Sequence, residues 1–475
     1  MKIYPTVTIL ILASISISSI LFFACNGKAV KAGMIVATEA PANNQGRHYV
    51  RGDFWRYIPE TRIVAFIPGK PASAKVLTNE FHSACSPEIS YDGKLMLFTA
   101  QQKRDDPWQI WEMDLESLKS RKITSSGENC TDPAYLPDGL LVFSKSTAND
   151  TVKNAHCLFT CNPDGSGLKQ ITFSPGTILA TTVLRDGRLL TINLQTFTGG
   201  DPFLMVMRPD GTKADMFYGG DKGNTLISRP YETSQGRIVF IESDSRDGMA
   251  GRMISISYSR PLHSRIELTS GITGDFHSVL PYQPDKYLVS WRRTDSDKYA
   301  LYEFDPVNKS VGPEILTDAS YNVLDAVRVG ENVRPKNLPS EVDMQVKTGL
   351  LFCQNINFPD PTRKDLSSAR KAVKVEVLGI DTTYGEVRVM EDGSFYLKVM
   401  ADIPFRIRTL DEKNNVISDP CSWLWLRPNE RRGCIGCHED PELVPENRVA
   451  LAVTKDPVII PVHITGIKEK IVELE

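Results

Sequence analysis

The chain has no excess of charge of either sign. Its 55 Lys and Arg stand against 58 Asp and Glu, a net charge of -3. No long run of like charge occurs. Both absences exclude the basic footprint that holds nucleic acid, so no nucleic-acid partner is expected. Cysteine and histidine are sparse, nine and seven in 475 residues. No tyrosine follows Tyr396, and the motif CxxCH occurs once. At this length the chain can hold two domains and a sizeable core.

What is present begins with MKIYPTVTILILASISISSILFFAC. One lysine precedes an apolar and small-residue stretch from Thr6 to Ala24, with no acidic residue in it. This pattern fits an export signal. Ala24 before Cys25 matches the end of a bacterial lipoprotein signal, although Phe22 and Phe23 are poor matches to the usual residues. An uncleaved membrane anchor and simple cleavage are the alternatives, and each exports the body of the protein. Residues 1–24 are therefore expected to be a lipoprotein signal and 25–54 a small, polar tether. Lipid on Cys25 would place the chain in the cell envelope, anchored to a membrane and facing the periplasm.

From 55 to 330 the sequence repeats. SPEISYDGKLMLFTA, DPAYLPDGLLVFSKS, ATTVLRDGRLLTINL and RPYETSQGRIVFIES share a tight turn followed by alternating apolar residues. Their turn glycines, Gly93, Gly139, Gly187 and Gly236, recur every 46 to 49 residues. A fifth, weaker copy turns near Asp285. Each copy is followed by a second strand, turn, strand element, giving about four strands per unit. One such unit cannot bury its own apolar faces, and radial packing of several does. The expectation is an all-β chain whose first part is a six-bladed β-propeller. The segments 61–69 and 321–330 would complete a blade from both ends. Seven blades, or a β-sandwich with coincidental spacing, are the alternatives. The repeats resemble the TolB-like and WD40-like propellers of exported bacterial proteins, a likeness that carries fold and not function.

Within this region His82, Cys85, His156, Cys157 and Cys161 raise the question of a soft-ligand metal site. Cys157 and Cys161 share one side of a strand but are too far apart to bond to each other. Buried or cross-strand-paired cysteines are the plainer expectation, with Cys130 a candidate partner in the neighbouring strand. His48, His263 and His277 belong to no constellation.

Residues 331–344, polar with two prolines, read as a linker. Beyond them, KAVKVEVLG, YGEVRVMEDGSFYLKVMA and PFRIRTLDEKNNVISD alternate like strands joined by turns. A small β-sandwich-like domain is expected over 345–475, with GSFYLKV and PFRIRTLD side by side in one sheet. Phe395, Tyr396 and Phe405 are candidates for its core, with Phe395 and Leu397 on one face of their strand and Tyr396 on the other. The motif Cys434-Ile-Gly-Cys437-His438 follows. Two thiols at this spacing can form thioethers to the vinyl groups of a haem, and the adjacent histidine can ligate the iron. A thioredoxin-like CxxC would want a βαβ context, and structural zinc would want a second ligand pair. One covalent haem c is the expected cofactor.

The run DGSFYLKVMADIPFRIRTLDE with WLWLRPNERRGCIGCHED resembles the haem-bearing middle domain of the hydrazine synthase alpha subunit family. The resemblance implies a propeller followed by a haem c domain, with thioether attachment at Cys434 and Cys437. It also marks departures. The family's enzyme carries a further haem domain, and here there is a single CxxCH. In its active haem a tyrosine soon after the motif holds the iron, and the motif histidine turns to zinc. No such tyrosine exists here, so neither feature carries over. With His438 as proximal ligand, His463 is a candidate for the other face of the iron, and Met390 and Met400 are weaker ones. Trp423 and Trp425 are expected to pack on the haem, and one of Arg427, Arg431 and Arg432 to meet its propionates. Cys353 and Cys421 could pair. Electron transfer with a redox protein partner is the leading expectation. The alternatives are a binding or envelope protein with a structural or sensory haem, and a small-molecule-converting haem enzyme.

Overall fold

The computed structural model describes residues 29–42, 58–147, 155–195, 200–220, 225–226, 228–243, 251–358, 371–418, 420, 422–436, 442 and 447–460. All extended elements in it are β-strands, in line with the all-β expectation.

Residues 35–328 form five sheets among the described residues. In the first, the strand order is Tyr321–Arg328, Ile35–Pro41, Arg62–Ile67, Lys70–Val76. The second runs Ser83–Ile89, Leu95–Gln101, Gln109–Asp114, Ser120–Lys122. The third has eight strands, from Cys130–Tyr135 to Asp215–Tyr218. A five-stranded sheet spans Thr225–Leu226 to Ile266–Glu267, and a four-stranded one spans Asp275–Gln283 to Ser310–Leu316. Apolar clusters such as Val36, Ile63, Met96, Phe98 and Val327 lie between successive sheets.

This pairing corrects the expected six-bladed β-propeller. The sheets number five, of four, four, eight, five and four strands, and none closes on itself. A parallel bridge from His156 to Thr177 joins two sequence repeats into the eight-stranded sheet. The repeat spacing reports hairpins, which are local, and says nothing of which hairpins join through their outer strands. A second difference lies in the segment expected as a tether. Ile35–Pro41 is a buried strand between Tyr321–Arg328 and Arg62–Ile67. Its residues are buried on both faces, including Glu39, which pairs with Arg62, so the strand shows no alternation of exposure.

The turn glycines are where the repeats put them, at φ of 71° (Gly93), 92° (Gly139), 92° (Gly187) and 72° (Gly236). Two of them also admit the chain leaving this region. A Cβ on Gly93 would lie 2.7 Å from the Gly330 carbonyl carbon, and one on Gly187 would lie 2.2 Å from the Lys336 oxygen. The expected linker is thus a strap laid across successive turns. Asn332 N–H donates to Tyr91 O (2.9 Å), Lys336 N–H to Arg185 O (3.0 Å) and Glu341 N–H to Asp210 Oδ2 (2.7 Å).

The C-terminal part is two four-stranded sheets. One orders Arg431–Cys434, Thr348–Cys353, Phe395–Met400, Val458–Ile459; the other orders Thr383–Arg388, Lys374–Leu378, Arg406–Leu410, Val416–Ser418. They enclose Leu351, Val375, Val377, Phe395, Leu397, Phe405 and Ile407. Phe395, Leu397 and Val399 are buried while Tyr396, Lys398 and Met400 alternate outward, so the expected alternation holds and Tyr396 lies on the face away from the core. The expected neighbours GSFYLKV and PFRIRTLD are not in one sheet. Phe395–Met400 pairs with Thr348–Cys353, and Arg406–Leu410 pairs with Lys374–Leu378. The chain crosses between layers at Asp402, whose φ of 63° is left-handed.

Candidate functional site

The site region is built on the strand Arg431–Cys434. It lies parallel to Thr348–Cys353, with Cys434 opposite Cys353. Hydrogen bonds continue past the strand end, from Gln354 N–H to Cys434 O (2.9 Å) and from Asn355 N–H to Ile435 O (3.0 Å). The backbone leading into the CxxCH motif is therefore held by main-chain bonds to an interior strand. Cys434 is half-buried at the rim of the sandwich core, whereas Cys85, Cys130, Cys157, Cys161 and Cys353 are all buried. A thiol that must add to a vinyl group has to be reachable, and Cys434 meets that condition. Cys437, His438, His463, Cys421 and Cys25 lie outside the described residues.

The approach to the motif is a tight turn. Glu430 N–H donates to Arg427 O (2.9 Å), closing Arg427-Pro428-Asn429-Glu430. Pro428 supplies the fixed φ of the second position, and Asn429 takes the third at φ 66°. The turn faces residues 208–213 of the eight-stranded sheet. Arg427, Glu430 and Arg432 form one network there. Arg427 Nη1 donates to Asp402 Oδ1 (2.6 Å) and its Nε to Asp210 O (3.1 Å), and its guanidinium lies 4.9 Å from the Phe173 ring centre. Glu430 accepts from Arg427 N–H (2.8 Å), Lys213 N–H (2.8 Å) and Arg432 Nη2 (2.8 Å). Burial pushes the Asp402 carboxyl up, against the pull of Arg427.

Two expectations change here. Arg427 and Arg432 are committed to protein carboxylates, and Arg431 alone of the three is exposed. Trp425 points away from the sandwich. It is 1 % exposed within a cluster that includes Ala134, Leu136, Leu189 and Met207, and its Nε1–H donates to Gly211 O (3.3 Å). Trp423 is buried under the Arg406 guanidinium, 4.7 Å from its ring centre. The signal for this docking was the RPNE turn itself, which no argument from the haem motif required.

The metal-binding expectation is also corrected. Among the described residues, no group of three or more His, Cys, Asp or Glu is placed to hold a metal ion. Cys130 and Cys157 both face Lys145, from strands on either side of Leu141–Thr147. Two strand spacings separate them, about 9.6 Å, too far for a disulfide. Both are thiols, as is Cys161. Burial pushes the thiols of Cys130 and Cys161 up to about 11, and that of Cys157 upward, the opposite of what a thiolate ligand needs. Elsewhere, a cavity of about 20 Å³ is lined by Thr38, Thr61, Cys85, Ser86, His277 and Asp325, room for about one water.

Residues 353–439 match the family model described as the hydrazine synthase alpha subunit middle domain. Hydrazine synthase subunit alpha of Kuenenia stuttgartiensis is 22% identical over 536 residues, covering 85% of this chain. The match spans 65% of that relative's length. A solved structure of Kuenenia stuttgartiensis hydrazine synthase superposes with a TM-score of 0.75 at 19% identity, over 90% of this chain and 72% of that one. TolB from Acinetobacter baumannii superposes with a TM-score of 0.47 at 14% identity, over 66% and 71%.

Proposed function

Residues 353–439 belong to the hydrazine synthase alpha subunit middle-domain family, and from that premise we propose that the chain is a small-molecule-converting haem enzyme related to that subunit. A single haem c would be held by Cys434 and Cys437 through thioethers, and His438 would offer its imidazole to the iron. The observation that carries this reading is the placement of Cys434. Among the described cysteines it is the half-buried one, at the end of a strand fixed by Gln354 and Asn355. Thioether formation adds each S–H across a vinyl C=C bond, with no electron gained or lost. When bound, the haem supplies an iron centre for one-electron chemistry or for a small ligand. The chain's own contribution is to hold the attachment strand rigid and to keep one thiol accessible.

The test is spectroscopic. Protein made in cells with a haem-attachment system should give a haemochrome that stays with the denatured chain. After reduction by dithionite it should bind carbon monoxide. No covalent haem refutes the cofactor assignment. A low-spin form that ignores carbon monoxide, as a His463 ligand would produce, refutes the enzyme reading and favours electron transfer. Export and a lipid on Cys25 are part of the proposal, supported by the apolar stretch from Thr6 to Ala24. Mass spectrometry of the mature N-terminus tests them, and an unmodified Cys25 refutes the anchor.

A further inference from the structure

Two buried carboxylates bracket the haem motif. Glu430 lies four residues before Cys434, and Glu442 lies four after His438. Their side chains are 1% and 8% exposed. A carboxylate is buried at such a level only when its oxygens find donors. In both cases a donor is a backbone N–H of the N-terminal region. Glu430 Oε1 accepts from Lys213 N–H (2.8 Å), in the loop that ends the strand Phe203–Met207. Glu442 Oε1 accepts from Leu262 N–H (2.6 Å), in the short helix Pro261–His263, and its Oε2 accepts from Arg260 Nε (3.3 Å). The two loops come from different sheets, but the strand Asp215–Tyr218 packs beside Pro261–His263, so they form one surface.

The geometry points to a role that the family match does not assign. We infer that the N-terminal region is one wall of the haem site, and that Glu430 and Glu442 are positioning residues that staple both ends of the motif to it. Trp425 anchors the same side, sunk among Leu136, Leu189 and Met207. Main-chain N–H groups cannot be rotated away, so a carboxylate bound to them is aimed as well as neutralised. The staples thereby set where the attached haem lies and how much negative charge surrounds it. The inference rests on the haem assignment above.

The test uses the full-length holoprotein. Glu430→Ala and Glu442→Ala should each lower covalent haem per chain and shift the midpoint potential of what remains. Glu442→Gln should recover attachment, because an amide oxygen still accepts from Leu262 N–H. Arg260→Ala removes a largely exposed cation and leaves the carboxylate on Leu262, so it should shift the potential in the direction opposite to Glu442→Ala, with haem content intact. Arg388→Ala, which breaks an exposed pair with Glu412 within the C-terminal sheets, should change neither. Haem content and potential that stay at wild-type values in both alanine variants overturn the inference. A wild type without covalent haem would instead remove the haem assignment on which it stands.

Discussion

Replacing Trp425 with alanine should loosen the joint between the two parts of the chain. The side chain is 1% exposed and packed among Ala134, Leu136, Leu189, Met207 and Phe173. Truncating a buried Trp costs about 3–5 kcal/mol in lost transfer energy and residual cavity. The bond from Nε1–H to Gly211 O adds about 1 kcal/mol. About 4–6 kcal/mol is therefore expected, most of it on the contact between the eight-stranded sheet and the C-terminal sheets. Trp425→Phe keeps most of the packing and should lose only about 1–2 kcal/mol. Urea unfolding of the haem-free protein measures the loss. Protease cleavage within 331–344, where the strap lies on the turns, reports whether the parts separate. The competing idea, that Trp425 covers the haem, makes the opposite forecast. If the haem-free variant unfolds like haem-free wild type and only the Soret band of the haem-loaded variant moves, the packing argument is refuted.

Gly187→Ala forces a Cβ to within 2.2 Å of Lys336 O at a φ of 92°. The left-handed backbone alone costs about 1–2 kcal/mol, so the variant should melt lower and be cut faster within 331–344. Unchanged cleavage would mean that the strap does not need this close approach. Burial alone would raise the Asp210 carboxyl, but bonds from the Thr212 hydroxyl, Glu341 N–H, Thr212 N–H and the Ser340 hydroxyl outweigh it and hold it below its ordinary value. Its stabilisation is then complete above the unfolded value of about 4 and fades as pH falls through the lower folded value. The melting temperature of wild type should fall more steeply than that of Asp210→Asn on acidification through this range, and parallel curves would contradict it. Iodoacetamide at neutral pH should leave Cys130, Cys157 and Cys161 unmodified in the folded, haem-free protein while labelling Cys434. Peptide mass spectrometry reads the result, and labelling of Cys130 at the Cys434 rate would show that burial does not protect it.

Local features were legible in advance. Gly93, Gly139, Gly187 and Gly236 sit in left-handed turns because an Asp-Gly or Gln-Gly pair in a hairpin leaves few other geometries. Phe395 and Leu397 share one face and Tyr396 takes the other, because a strand alternates, though which face meets the core was left to the structure. Long-range pairing was not legible. Ile35–Pro41 was missed because a strand buried on both faces has no alternation to detect. Phe395–Met400 was given the wrong neighbour because alternation identifies a strand and leaves its partner open. Arg427 and Arg432 looked available for a ligand, since nothing in RPNERR reveals that Asp402, Asp210 and Glu430 wait in space.

By itself the sequence determined the all-β character, the hairpin period and the spacing of CIGCH on which the haem proposal rests. Each depends on residues a few positions apart, whose geometry the backbone restricts directly. Tertiary structure decided that the repeats pair into five sheets, and that Trp425 serves the N-terminal region. It also decided that Glu430 and Glu442 reach Lys213 and Leu262. Those choices join residues about 180 to 220 positions apart, where chain connectivity imposes almost nothing and only packing and hydrogen-bond satisfaction select the partner.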